Sequence, residues 1–182
     1  MRAKSVVIIL IFYLHLRWSE NCPPSCHCID SLTNCNRKNL RKLLSGIPDN
    51  TTVLVMSHNN ISSVQRNDFN ELPNLRMLII ANSSLTFFDT QVIKKFTNLT
   101  VLDLRGNMLT EISRFPRHMK LKSGYTFSLL QNTSYLNLKN NPLSNISVDS
   151  FKDLKSLTRL NLKNTSIRTL ATGIFSGLKS VM

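Results

Sequence analysis

The segment Leu99 to Leu109, L-T-V-L-D-L-R-G-N-M-L, constrains this chain most, because much of the remaining sequence is that segment repeated with substitutions. Apolar residues stand at its first, fourth, sixth and eleventh positions, and Asn stands at its ninth. The frame recurs at Thr51, Leu54, Met56, Asn59 and Ile61, and again at Leu75, Leu78, Ile80, Ser83 and Leu85. Thr133, Leu136, Leu138, Asn141 and Leu143 make a further copy, as do Leu157, Leu160, Leu162, Thr165 and Ile167. Copies thus start at residues 51, 75, 99, 133 and 157, a step of 24 residues with one step of 34. Eighteen positions after a start come Phe69, Ile93, Phe151 and Phe175, each followed three residues later by Leu72, Phe96, Leu154 or Leu178. A fixed period of this length means stacked supersecondary units, none of which can bury its apolar face alone.

Around the fourth and sixth positions apolar side chains alternate with more polar ones, the period of a short strand with one face buried. The frame resembles the leucine-rich repeat, L-x-x-L-x-L-x-x-N-x-L, in its 24-residue extracellular form, over residues 51–182. The resemblance implies an α/β solenoid: a horseshoe with a parallel sheet on its concave face and an irregular or short helical convex side. It also implies that the ninth-position Asn satisfies backbone groups in the turn leaving the strand. Ser83 and Thr165 replace it in two copies and are expected to do so more weakly.

Ahead of the repeats, Arg2 and Lys4 precede an apolar run from Val6 to Leu16, the layout of a secretory signal peptide over residues 1–19. A transmembrane anchor would need about twenty apolar residues, more than this run supplies. Residues 20–50 contain all four cysteines, Cys22, Cys26, Cys28 and Cys35, in the spacing C-x3-C-x-C-x6-C. Behind a leader, an even number of cysteines reads as a disulfide framework in an oxidising compartment. A zinc knuckle using His27 is the alternative, but structural zinc sites pair C-x2-4-C with a second, distant pair. With Leu40 and Ile47-Pro48-Asp49, the spacing resembles the amino-terminal cap of extracellular leucine-rich repeat proteins. Four cysteines allow three connectivities; the cap resemblance implies Cys22 with Cys28 and Cys26 with Cys35.

The formal charge is +13, and losing Arg2, Lys4 and Arg17 with the leader leaves +10. That charge favours polyanions; for a secreted chain nucleic acid is excluded as partner, while heparan sulfate and acidic protein surfaces remain. The 34-residue step inserts a segment within 113–126 that carries Arg114, Arg117, Lys120 and Lys122 and no acid. It reads either as a basic finger for a sulfated glycan or as a tolerated loop insertion or transcript error. Seven N-x-S/T sequons stand at Asn50, Asn60, Asn82, Asn98, Asn132, Asn145 and Asn164 and are acceptors for glycosylation in a secreted protein. Asn82 and Asn164, at the eighth frame position, would obstruct the concave face if glycosylated.

No phosphate-binding glycine loop, H-E-x-x-H or G-x-S-x-G occurs, which argues against an enzyme and against any cofactor or metal site. The family resemblance implies protein binding, either by a cell-surface receptor or adhesion ectodomain or by a secreted matrix or guidance protein. Outward strand positions are apolar in the early copies and polar in the later ones, so Val55, Ile79 and Asp103 are the expected contacts of a protein ligand on the concave face. The sequence stops where a sixth strand would begin, which reads as a solenoid incomplete at its carboxy terminus. On that reading, membrane attachment would come only from sequence beyond residue 182.

Overall fold

A computed structural model of the 182-residue chain describes residues 22–69, 72–89, 92, 95–111, 132–146, 150–151 and 154–181. The leader, the insertion with Arg114, Arg117, Lys120 and Lys122, and Ile93 lie outside the described residues.

Each repeat frame contributes one three-residue strand. β1 (His27–Ile29) and β2 (Leu32–Asn34) belong to the cysteine-rich segment, and β3 (Val53–Val55) opens the first coil. On the convex side, β4 (Ser63–Val64) leaves the first coil and β6 (Phe87–Phe88) the second. The main sheet continues through β5 (Met77–Ile79), β7 (Val101–Asp103), β8 (Tyr135–Asn137) and β9 (Arg159–Asn161). The seven strands β1-β2-β3-β5-β7-β8-β9 form one sheet, parallel except for the antiparallel β1–β2 hairpin. Leu54, Leu78, Leu102, Leu136 and Leu160 lie directly opposite one another along it, so the repeat register and the sheet register coincide. The 34-residue step leaves the strand register intact, since Leu102 still faces Leu136.

Central leucines point inward while their neighbours point to the concave side, as strand alternation requires. Leu54, Met56 and Ile61 of the first coil, Leu78, Ile80 and Leu85 of the second, and Leu136, Leu138 and Leu143 of the fourth are fully buried in one continuous core. Each such side chain contributes roughly 1.5 to 3 kcal/mol relative to exposure. Phe69 meets Phe96 edge-on at 5.3 Å, and Phe151 stacks on Phe175 at 6.0 Å, which carries the core to the convex side. That side takes the irregular form: a two-stranded parallel sheet, β4 with β6, and turns, with no α-helix among the described residues.

A buried amide cannot be left unpaired without cost, and the ninth-position asparagines answer this by bridging coils. Asn107 Nδ2 donates to Leu104 O at 2.8 Å in its own coil and to Ile80 O at 2.7 Å in the preceding one. Its Oδ1 accepts from the preceding coil's Ser83 N (3.1 Å) and Leu85 N (3.3 Å). Asn59 repeats the pattern into the cap, and Asn141 repeats most of it into the third coil. Ser83 reaches back only through Oγ, which accepts from Asn59 N at 3.4 Å, and Thr165 Oγ1 donates only within its own turn, to Leu162 O at 3.0 Å.

A second column is formed by the residue before each of the first four frames. Asn50, Asn74, Asn98 and Asn132 donate through Nδ2 to Asp30, Asp49, Pro73 and Thr97 carbonyls of the preceding turn, at 2.8 to 3.2 Å. A third column turns the chain off the sheet: the eighth positions His58, Asn82, Gly106, Asn140 and Asn164 all have positive φ, between 49° and 66°. These are residue types that tolerate the left-handed region. Each of the first four donates its N–H to the seventh-position carbonyl of the next coil, at 2.8 to 2.9 Å.

The cysteine segment seals the first coil. Cys22 is bonded to Cys28 and Cys26 to Cys35, the pairing the cap resemblance implies, and Cys35, Leu40 and Ile47 are buried against the first repeat. Each closed loop should contribute roughly 2 to 3 kcal/mol by restricting the unfolded chain. With the thiols committed to each other, none is left as a thiolate for zinc.

Candidate protein-binding face

Strand alternation puts the third and fifth frame positions on the concave surface, and parallel pairing gathers them into two rows. Val53, Met77 and Val101 are neighbours in the first row, and Val55, Ile79 and Asp103 in the second. All except Asp103 are half-buried, so their outer faces meet solvent. The cap extends the first row. Leu32 pairs with Val53 and Ile29 with Leu32, and Ile29 is 64 % and Leu32 37 % exposed. An apolar strip therefore runs from the hairpin to the third coil.

Val55 and Ile79 are half-buried neighbours on adjacent strands in one row. Asp103 is brought beside them but is only 5 % exposed, so it does not serve as a free contact residue. Its Oδ1 accepts from Arg105 N at 3.1 Å and its Oδ2 pairs with Arg105 Nη1 at 3.0 Å. What this position offers to a ligand is the exposed guanidinium of Arg105, held by the carboxylate beneath. The sequence signal was the acid two residues before a base on one strand end.

Beyond Asp103 the face changes character. The fifth positions become Asn137 and Asn161, whose Oδ1 atoms accept from Lys139 N (3.2 Å) and Lys163 N (3.1 Å) as Asp103 does from Arg105 N. Arg159 occupies the third frame position of the last coil, exposed, beside half-buried Tyr135.

All seven sequon asparagines are exposed. Five hold positions with a backbone duty. Asn50, Asn98 and Asn132 belong to the donor column that includes Asn74, which is no sequon, and Asn82 and Asn164 belong to the left-handed column. Asn60 and Asn145 have neither duty; Asn60 Oδ1 accepts the Ser84 hydroxyl at 3.0 Å. The histidines of the cap and first coil meet no acid among the described residues: His27 lies 3.3 Å from Lys38 Nζ and His58 3.5 Å from Asn82 Nδ2.

The face shows no assembled acid, base and nucleophile among the described residues. No helix of the described residues is long and apolar enough to cross a membrane. The two disulfides fit an oxidising, extracellular compartment.

The leucine rich repeat family model matches residues 73–115 and 127–182. Human leucine-rich repeats and immunoglobulin-like domains protein 2 is 29 % identical over 163 residues, covering 74 % of this chain and 14 % of that protein. The human protein 3 of the same name is 32 % identical over 99 residues, 54 % of this chain and 9 % of the relative. Mouse nephrocan is 32 % identical over 104 residues, 57 % of this chain and 20 % of its own length. The chain thus spans no more than a fifth of these curated relatives. A family match over more than half of the chain, on coils whose register the sheet displays, makes this protein a member of the leucine-rich repeat family, with a disulfide-bonded cap at its amino-terminal end.

Proposed function

We propose that the chain is an extracellular, non-catalytic protein-binding module of a cell-surface receptor or adhesion ectodomain, with the concave face as its contact surface. Residues 1–19 act as signal peptide, 20–50 as cap and 51–182 as the binding solenoid. The observation that carries this reading is the solvent-facing apolar strip Leu32, Val53, Val55, Met77 and Ile79. An apolar patch kept on a curved sheet, where the fold needs none, marks an interaction site. The relatives' printed names, which join leucine-rich repeats to immunoglobulin-like domains, support an ectodomain setting. A secreted matrix or guidance protein that also binds heparan sulfate is the second reading, favoured by the formal charge of +13.

The test is a screen of the secreted full chain against a panel of purified ectodomains, followed by Val55→Asp and Ile79→Asp. Each substitution should weaken the captured interaction at least about tenfold, as loss of a buried apolar anchor does, with secretion unchanged. Unaltered binding in both variants would move the site off the concave face.

A further inference from the structure

The carboxy-terminal half of the concave face carries a feature that the fold does not need. Arg105, Lys139 and Lys163 hold the same seventh frame position in coils 3, 4 and 5, where coils 1 and 2 have Ser57 and Ala81. Neighbouring strands lie about 4.8 Å apart, and like charges side by side on adjacent strands are destabilising. The three cations also lie close to one screening length of each other, about 8 Å at physiological salt, so their potentials add.

Their backbones are fixed from both sides. Each N–H is held by the side chain two residues earlier, Asp103, Asn137 or Asn161. Each carbonyl accepts from the left-handed residue of the preceding coil: Asn82 to Arg105, Gly106 to Lys139, Asn140 to Lys163. Only Asp103 balances the column, and it is committed to Arg105 at 3.0 Å. Neither Lys139 nor Lys163 has a carboxylate within ion-pair distance among the described residues. A repeated cation column, compensated only at Arg105, therefore stands two residues past the ends of β7, β8 and β9, on the same sheet edge that carries the apolar strip.

From this juxtaposition we propose that the partner is an acidic protein surface, with an apolar ridge seated on Val53, Val55, Met77 and Ile79 and carboxylates reaching Lys139 and Lys163. The inference rests on the concave-face reading and adds the partner's chemistry and orientation: its acidic end lies toward coils 4 and 5. Charge complementarity of this kind sets association rate and register.

The experiment pans a phage-displayed random peptide library on the secreted full chain and titrates the most enriched peptide. Variants are Lys139→Glu/Lys163→Glu, Lys139→Arg/Lys163→Arg and Val55→Asp, each checked for an unchanged melting curve. Enriched peptides should place Asp or Glu beside an apolar stretch. Charge reversal should weaken binding at least about tenfold, the arginine pair should stay within about twofold, and added salt should weaken the wild type. Enriched peptides without acid, or binding indifferent to charge reversal, would overturn the acidic-partner inference. If Val55→Asp still abolished binding in that case, the concave site itself would stand. A heparin oligosaccharide is titrated in parallel; if it bound through Lys139 and Lys163 while peptide binding ignored them, the column would be a sulfated-glycan site and the inference would fall.

Discussion

Coils 2 and 5 carry the same kind of side chain in the same frame and bury it to different depths. Leu78, Ile80 and Leu85 are fully buried, whereas Leu160, Leu162 and Ile167 are half-buried and Phe175 is 40 % exposed. Coil 2 has a neighbour on each side in the sheet, while among the described residues β9 of coil 5 pairs only with β8. In a solenoid the hydrophobic free energy thus belongs to the interface between coils, and a leucine at a given frame position is worth what its neighbours cover.

The largest consequence is a difference between two chemically identical substitutions. Leu78→Ala should cost about 3 to 5 kcal/mol, since it leaves a cavity walled by two coils. Leu160→Ala should cost only about 1 to 2 kcal/mol, because its site is partly open and collapses readily. Guanidinium unfolding of the full chain, followed by circular dichroism, measures both; equal costs would break the comparison.

The interior ladder gives the next largest contrast. Asn107→Ala removes an amide that serves four backbone groups of two coils at 3.3 Å or less. A loss of about 2 to 3 kcal/mol is expected, because buried N–H and C=O groups are left without partners. Thr165→Ala removes one local bond to Leu162 O and should cost less than about 1 kcal/mol. Amide exchange read by mass spectrometry adds the location: Asn107→Ala should speed exchange at Ser83 and Leu85, one coil away from the substitution. Acceleration confined to coil 3 would mean that the ladder does not couple coils.

How much of this could be read from the sequence depended on whether a residue's environment is set by the repeat or by a single neighbour. The central leucines, the coil register and the inward side of every strand follow from the 24-residue frame, and the sheet pairs Leu54 to Leu160 in that order. Two further columns had the same period and were legible in principle: Asn50, Asn74, Asn98 and Asn132 as carbonyl caps, and His58, Asn82, Gly106, Asn140 and Asn164 as left-handed turns. They are easily missed because sequons explain many of the same asparagines. Asp103 was misplaced for a different reason. Its outward direction is set by the repeat, but its side chain is turned back onto the backbone of Arg105 and is buried, as Asn137 is at the same frame position in the next coil. The extension of the apolar strip to Leu32 and Ile29 was hidden because the cap lies outside the period: β2 joins β3 in parallel, and β1 is added antiparallel to β2.

Glycine substitutions test the left-handed column with a smaller effect. A Cβ on Gly106 would collide with Asn82 Oδ1 in the preceding coil, at a φ of 66°, so Gly106→Ala should cost about 2 kcal/mol. At Gly173, with φ 82° and nothing within 4 Å of an added Cβ, only the backbone penalty of about 1 kcal/mol remains. Thermal unfolding of the two variants separates contact from conformation; a Gly106→Ala shift no larger than that of Gly173→Ala would show that Asn82 yields without cost.

The smallest expected effect has the opposite sign. Ser83 interrupts the ladder in coil 2, where its hydroxyl makes one long bond of 3.4 Å to Asn59 N. An asparagine there would stand in the frame position of Asn107, with an Oδ1 to accept from Asn59 N and Ile61 N and an Nδ2 to donate to the Met56 carbonyl. The turn itself requires no change, since Ser83 N already donates to Asn107 Oδ1 as a ladder residue does. Ser83→Asn should therefore stabilise the chain by about 0.5 to 1 kcal/mol, the net worth of one added hydrogen bond after the larger side chain is ordered. The substitution also removes the third residue from no sequon but changes the middle residue of the one at Asn82, so the comparison is made on enzymatically deglycosylated protein. An unchanged or lowered melting temperature would show that coil 2 is packed around serine, and that the gap in the ladder is an accommodated feature of this repeat.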